Sequence, residues 1–310
     1  MNSDYNLLVV LGPTASGKTS FAARMAAAFD GEIISADSRQ VYRGMTIGTG
    51  KDLADYVVDG RPVPYHLIDI AAAGEKYNVY RYQNDFFEAM RTVERHGRLP
   101  IMCGGTGLYI EAVLRGYRFI EVPPDTELRA ALAGKTLAEL ADILASYRPL
   151  HNTSDTDTPR RAIRNIEIAR YYALHPEAGQ PLPPVRPLVV GTLVDRETRR
   201  SRITRRLHAR LREGLVDEVA GLMRAGVSSD DLIYYGLEYK FVTNYLLGLL
   251  TLEEMTEQLN IAIHQFAKRQ MTWFRGMEAR GIHVHWLDMQ LSESERIAMV
   301  RELMAGHQTE

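Results

Sequence analysis

Cysteine is almost missing from this chain: Cys103 is the single one in 310 residues. One thiol excludes an internal disulfide and a cysteine-built zinc cluster, and it suits a reducing compartment. Long apolar runs are missing too. None approaches the roughly 18 residues a bilayer span requires, and no basic stretch leading into an apolar one opens the chain. Charge of one sign is scarce, since 37 Lys and Arg face 39 Asp and Glu for a net of −2. That balance excludes a uniformly basic nucleic-acid coat and leaves room for a local basic patch. Repeats and low-complexity segments are also absent. A cytoplasmic protein without a membrane partner is therefore expected. What the chain does have is 45% hydrophobic residues, enough for a full core and for more than one structural unit.

The apolar residues come in short blocks separated by helical spacing. Leu7–Leu11 is a compact run ending at Gly12, and Lys18–Phe29 reads as a helix. Residues 32–37 form a second strand pattern with a carboxylate at its end, 66–70 a shorter candidate, 78–96 a helix, and 99–103 another buried strand followed by Gly104-Gly105. Such alternation argues an α/β fold: a parallel sheet of the P-loop NTPase-like kind flanked by helices. Pro123-Pro124 opens a mostly helical stretch that closes in a linker, 176–187, carrying five of the 13 prolines. Residues 187–194 then read as a strand, 282–286 alternate like another, and the rest from Arg196 onward is helical. The expected organisation is a catalytic core in two parts, 1–119 and 186–310, interrupted by a helical insertion domain at 120–185.

In parallel sheets ligands bind beyond the carboxyl ends of the strands, and the ends here carry chemistry. Gly12-Pro13-Thr14-Ala15-Ser16-Gly17-Lys18-Thr19 has the spacing of a phosphate-binding P-loop. Its glycines let backbone N–H groups curl around phosphate oxygens, Lys18 adds a charge, and the Thr19 hydroxyl suits Mg²⁺. Taken alone, the motif indicates nucleotide binding, ATP first. Asp37, beside Ser38, Arg39 and Gln40, reads as a general base, as a Mg²⁺ holder through water, or as a strand-end turn residue. Gly104-Gly105-Thr106 brings backbone close to a ligand and offers a hydroxyl, or serves as a turn with Thr106 as helix cap.

Arginines gather in two places. Arg160, Arg161 and Arg164 lie in the insertion, with the last two on one helix face. Arg196 to Arg212 holds eight, opposed mainly by Glu197, and within it Arg202, Arg206 and Arg210 form an i,i+4 ladder beside a buried stripe of Ile203, Leu207 and Leu211. So lopsided a charge favours polyphosphate or RNA backbone as the partner. Residues 265–275 mix basic and aromatic side chains, which suits unstacked RNA bases or an amphipathic helix with Phe266, Trp273 and Phe274 in the core.

Several separated segments resemble the tRNA dimethylallyltransferase family, also called tRNA isopentenyltransferases. They are 12–19 (GPTASGKT), 34–51 (ISADSRQVYRGMTIGTGK), 66–69 (HLID), 100–110 (PIMCGGTGLYI), 160–168 (RRAIRNIEI), parts of 203–219, and 267–275 (AKRQMTWFR). The resemblance implies that the P-loop holds dimethylallyl diphosphate with Mg²⁺. It implies transfer of the dimethylallyl group to N6 of the adenosine just 3′ of the anticodon, in tRNAs reading codons that begin with U. It further implies catalytic roles for Asp37 as base, Thr106 at the bridging oxygen and Arg206 on the diphosphate. Contacts to tRNA map onto Asp37, Ser38, Arg39, Gln40, Arg160, Arg161 and Arg164, with the insertion gripping the anticodon stem-loop. No DNA partner is expected, and the chain is expected to be a monomer. Three departures stand out: 151–155 replaces the usual His-Pro-Asn-Asp segment, 235–240 (YGLEYK) replaces Ile-Gly-Tyr-Lys-Glu, and Asp52 stands where proline often follows Lys51.

Rival readings are an adenylate isopentenyltransferase, a P-loop kinase using Asp37 as base, and an RNA-binding module with a vestigial P-loop. The Arg160–Arg164 segment argues against the first. Thr106 on its Gly-Gly turn and the 267–275 segment argue against the second, and intact Lys18 and Thr19 against the third.

Overall fold

Five consecutive apolar residues with no polar alternation make a strand buried on both faces, and Leu7–Leu11 (β1) is one: every residue is buried. The structure, a computed structural model, describes residues 4–117, 119–150, 156–175 and 182–306. The departing segment 151–155 and linker residues 176–181 lie outside the described residues. After the phosphate loop come helix α1 (Lys18–Phe29) and strand β2 (Gly31–Ser35). A small hairpin follows, β3 (Val57–Val58) with β4 (Arg61–Pro62), turned by Asp59 and Gly60, both at positive φ as a two-residue Asp-Gly turn requires. Strand β5 (Tyr65–His66), helix α2 (Val79–Arg95), strand β6 (Leu99–Gly104) and helix α3 (Gly107–Leu114) complete the first stretch. Helices α4 (Thr126–Leu132), α5 (Leu137–Tyr147) and α6 (Pro159–Leu174) form a unit of their own. The sheet resumes at β7 (Pro187–Leu193). Beyond it run α7 (Arg196–Arg212), α8 (Leu215–Arg224), α9 (Ser229–Tyr234), α10 (Leu237–Leu246) and α11 (Leu252–Ala279), then β8 (His285–Asp288) and α12 (Glu293–Met304).

The chain divides into two compact units, Met1–Gly116 with Pro183–Glu310, and Tyr117–Leu182. In the first, six strands order as β5-β2-β6-β1-β7-β8, and every pairing is parallel. One face of this sheet presents Leu8, Val10, Ile33, Ile101, Leu188 and Val190 to Phe21, Met25 and Phe29 of α1 and Val300 of α12. Helix α2 packs on β2 and β6 with Phe86, Phe87, Met90 and Val93 buried as its helical spacing predicts, while Tyr82 is buried and Val79, expected on the same stripe, is only partly so.

Most boundaries fall within a residue of the sequence expectation, and three strands depart further. Strand β2 stops at Ser35, so Asp37 lies in the turn beyond the strand. Strand β5 covers only Tyr65–His66 because Leu67 and Asp69 both take positive φ, which breaks the pleat. The last strand begins at His285 and runs on to Asp288, later than the alternation at 282–286 suggested.

The second unit is built on Leu132, Leu140, Leu144, Ala162, Ile166 and Ala169. Helix α6 starts cleanly, with Thr158 accepting from the Arg161 amide and Pro159 in the first turn. Its Glu167 is buried and receives Arg129 through two bonds of 2.7 and 2.8 Å, Arg164 at 3.1 Å, and the Asp125 amide at 2.8 Å. Burial alone would raise the Glu167 pKa; the Arg129, Asp125 and Arg164 donors outweigh it and hold the group below the usual carboxylate range. A carboxylate depressed in the folded state contributes stability above its unfolded value near 4.3, lost as pH falls through the folded pKa. Glu167→Gln is accordingly expected to cost about 1–2 kcal/mol, discounted because both arginines remain half-exposed. Faster amide exchange in α6 at pH 7, with the gap to wild type closing below pH 4, would be the readout.

Candidate active site

Helix α1 begins without a side-chain cap and without an acidic residue in its first turn, so its amino-terminal N–H groups stay available. Gly17 precedes it at φ 81°, and Ala15 also has positive φ, 63°, which turns successive amides toward one concavity. The loop is pinned from below: Ser16 Oγ and Thr192 Oγ1, on β7, lie 2.6 Å apart, and Thr192 Oγ1 donates to the Leu11 carbonyl at 3.3 Å. Gly12 must be glycine here, because a Cβ would stand 2.0 Å from Thr192 Oγ1. Arg206, from α7, donates to Thr14 Oγ1.

The ends of β2 and β6 meet beside this loop. A Cβ on Gly104 would sit 2.2 Å from the Ala36 carbonyl oxygen, which keeps the two turns in close contact. Thr106 occupies the cap position of α3, yet its side chain makes no cap bond. Its hydroxyl oxygen accepts from the Ser38 amide at 3.0 Å and donates to Ser38 Oγ at 3.3 Å instead. Asp37 Oδ1 accepts from the Arg39 amide at 2.8 Å, an Asx turn that orients the carboxylate; Oδ2 has no hydrogen bond among the described residues. Asp37 is thus a turn residue through Oδ1, and the turn leaves Oδ2 uncommitted among the described residues.

Charge concentrates at the same place. Burial holds Lys18 below the usual lysine range; Cys103 and Asp37 oppose that shift, while Arg206 and Arg210 reinforce it. Arg206 is pulled down to about 10 by burial and then by Arg210. Both shifts have one cause, cations held close together in a poorly solvated site, and such a site favours an anion. Cys103, pushed up to about 12 by burial, stays a thiol. Of the α7 stripe, Ile203 and Leu207 are buried as expected. Arg210 is buried where Leu211 was expected, and Leu211 is only partly so. Arg210 lies against Gly50 and 3.8 Å from Asp52, and its Nη2 has no hydrogen bond among the described residues.

The 46–51 loop reaches this cluster on a carboxylate anchor that sequence reasoning did not single out. Glu218 of α8 accepts from the amides of Thr46, Ile47 and Gly48 at 2.8, 2.7 and 3.0 Å, and Tyr239 donates to it at 2.6 Å. Part of the departing 235–240 segment is thereby structural. Tyr235 accepts from the Gly74 amide at 2.6 Å and donates to the Glu75 carbonyl at 2.9 Å. Burial raises the Glu238 pKa despite Arg210 and Arg206 nearby.

The residues assigned to RNA fall into two kinds. Asp37, Ser38 and Arg39 stay partly exposed, with the Arg39 guanidinium 5.6 Å from the Tyr234 ring centre. Gln40 is buried, donating to the Gly50 carbonyl at 3.0 Å and accepting from Ser35 Oγ at 3.4 Å. In the helical unit Arg160 is exposed with no partner among the described residues, and Arg161 makes an exposed pair with Asp157 at 2.7 Å. Arg164 is committed to Glu167 and to the Val122 carbonyl at 2.8 Å. Glu218 and Gln270 stood inside segments that the resemblance marked, but nothing in their spacing told their partners. Thr192 had no sequence signal at all.

A glycine-bent phosphate loop at the head of a parallel sheet, facing a lysine and an arginine, defines an α/β protein of the P-loop type that handles a polyanionic phosphate group. The IPP transferase family model matches residues 40–277, and the isopentenyl transferase model residues 5–63. The chain is 59% identical over 300 residues to tRNA dimethylallyltransferase 1 of Parabacteroides distasonis, covering 97% of this chain and 98% of that one. Among solved structures it is similar to the full-length tRNA isopentenylpyrophosphate transferase of Bacillus halodurans, with TM-score 0.71, 32% identity, and coverage of 98% and 96%. A eukaryotic dimethylallyltransferase acting on tRNA shares the fold at TM-score 0.76 and 20% identity, over 97% of this chain and 80% of that one. The chain belongs to the IPP transferase family and is a prenyltransferase. No helix among the described residues is long and apolar enough to cross a membrane.

Proposed function

We propose that this chain transfers a dimethylallyl group from dimethylallyl diphosphate to N6 of the adenosine 3′ of the anticodon in tRNA, releasing diphosphate. The observation that carries the reading is the convergence of Lys18, Arg206, Asp37 and the Thr106 turn on one side of the sheet. The name of the 59% identical relative points to the same donor and acceptor.

In this mechanism the amides that open α1, with Lys18 and Arg206, hold the diphosphate. The Thr106 hydroxyl turns toward the bridging oxygen, where charge grows as the carbon–oxygen bond breaks. N6 attacks the allylic carbon, and Asp37 Oδ2 takes its proton. An exocyclic adenine amine is a weak nucleophile, so removing that proton during attack lowers the barrier. The target base reaches the site by leaving its stack. Oxygen donors suit Mg²⁺: the Thr19 hydroxyl would help to hold the ion beside the diphosphate, since no metal-holding cluster of protein groups occurs among the described residues. When bound, the ion would neutralise charge on the leaving diphosphate.

Incubation with dimethylallyl diphosphate, Mg²⁺ and unmodified tRNA is expected to yield one prenylated adenosine per tRNA, read by nucleoside mass spectrometry. Rapid turnover of AMP with little of tRNA, or phosphoryl transfer from ATP, would overturn the reading. For the RNA contacts, Arg160→Ala with Arg161→Ala is expected to flatten the salt dependence of tRNA affinity by about 1–2 units of slope. The Arg161–Asp157 pair is exposed and exchanges readily for a phosphate. An unchanged slope in a filter-binding titration would remove both arginines from the interface.

A further inference from the structure

The 267–275 segment resembles its family strongly, yet the mechanism above gives it no task. It lies in α11, and Gln270 is its buried polar residue, 8% exposed. Gln270 Oε1 accepts from the Thr14 amide of the phosphate loop at 2.8 Å, and its Nε2 donates to the Gly105 carbonyl at 2.9 Å. The amide orientation is unambiguous, because a backbone N–H can only donate and a carbonyl can only accept. Three residues on, Trp273 lies over Gly107, where a Cβ would come within 2.2 Å of its ring; a Cβ on Gly105 would come within 2.5 Å of Gln270 Nε2. One face of α11 thus seats both glycines that flank Thr106.

We propose that Gln270 is a positioning residue that locks the phosphate loop to the Thr106 turn, setting the spacing between the cradled diphosphate and the hydroxyl that serves its bridging oxygen. Two consequences follow from the bonds. The Thr14 amide is taken, so the phosphate cradle begins after it, at the amides that run into α1. And Thr106 cannot drift from the loop while its neighbour Gly105 is held by the same side chain that holds Thr14. This assignment rests on the role given to Thr106 in the proposed function.

The test uses Gln270→Glu in the full chain. As a carboxylate, Glu still accepts from Thr14 but repels the Gly105 carbonyl; as a carboxylic acid it makes both bonds. The expected result is a loss in kcat of about 100-fold at pH 8, as for a misplacement near 1 Å. The ratio of variant to wild-type kcat should then climb steadily as pH falls to 5.5. Thr106→Val, which lowers kcat in the wild type, should cost markedly less in the Gln270→Glu background, since residues acting as a unit are non-additive. A flat ratio with additive effects overturns the positioning role. Should Gln270→Glu fail to fold, Gly105→Ala breaks the same clamp from the other side and should show the same non-additivity with Thr106→Val; additivity there overturns it equally. Wild-type protein that makes no prenylated adenosine, yet binds inorganic diphosphate, would instead sink the proposed function.

Discussion

Asp37→Asn is expected to lower kcat by about 10²–10⁴-fold while donor affinity stays the same or tightens. Asparagine retains the oxygen that accepts from the Arg39 amide, so the Asx turn survives and the fold is undisturbed. What goes is the proton acceptor, which matters in the transition state and not in the ground state. Lys18 and Arg206 both feel the Asp37 charge, so removing it leaves more of their field for a diphosphate. Single-turnover kinetics with dimethylallyl diphosphate and tRNA, beside equilibrium binding of inorganic diphosphate, separates the two effects. Near-normal turnover would take Asp37 out of the mechanism, and weakened diphosphate binding would make it a metal or donor ligand.

How much of this was legible in the sequence depended on whether the signal was local. The phosphate loop was, because glycine spacing, Lys18 and the following helix are all set within a dozen positions. Strands β1, β6 and β7 were, because continuous apolar runs have few other homes. Asp37 could be placed at a strand end, but not the bond of one of its oxygens to the Arg39 amide, which depends on where that amide turns. Arg210 shows the limit more sharply. Periodicity put Leu211 on the buried stripe, yet the chain buries Arg210 against Gly50, whose missing side chain makes room for a guanidinium. Long-range partners were opaque for the same reason: Gln270 meets Thr14 across 256 positions and Glu218 meets Ile47 across 171. Arg164 stands beside Arg161 in the sequence, but its bond to the Val122 carbonyl, 42 positions away, could not be read there.

Arg206→Ala is the second large effect, expected to lower kcat/KM by about 10²–10³-fold, as for loss of one donor to a developing oxyanion. Arg206→Lys should recover little, since a point charge on a flexible stem does not reproduce a guanidinium fork that reaches Thr14 and a phosphate together. The electrostatics add a pH signature. In the free protein burial and mutual repulsion hold Lys18 below its usual range and Arg206 near 10. A bound diphosphate favours both charged forms and so raises both pKa values. The sign follows: diphosphate affinity is full while Lys18 and Arg206 are protonated and declines as pH rises through their free-protein values, with protons taken up on binding in that window. Calorimetry of inorganic diphosphate binding in buffers of different ionisation enthalpy reads this uptake directly. In Arg206→Ala the repulsion that depresses Lys18 is relieved, so the window should move upward in pH even as affinity falls. A window that stays put would mean that burial alone, and not the paired cations, sets the Lys18 titration.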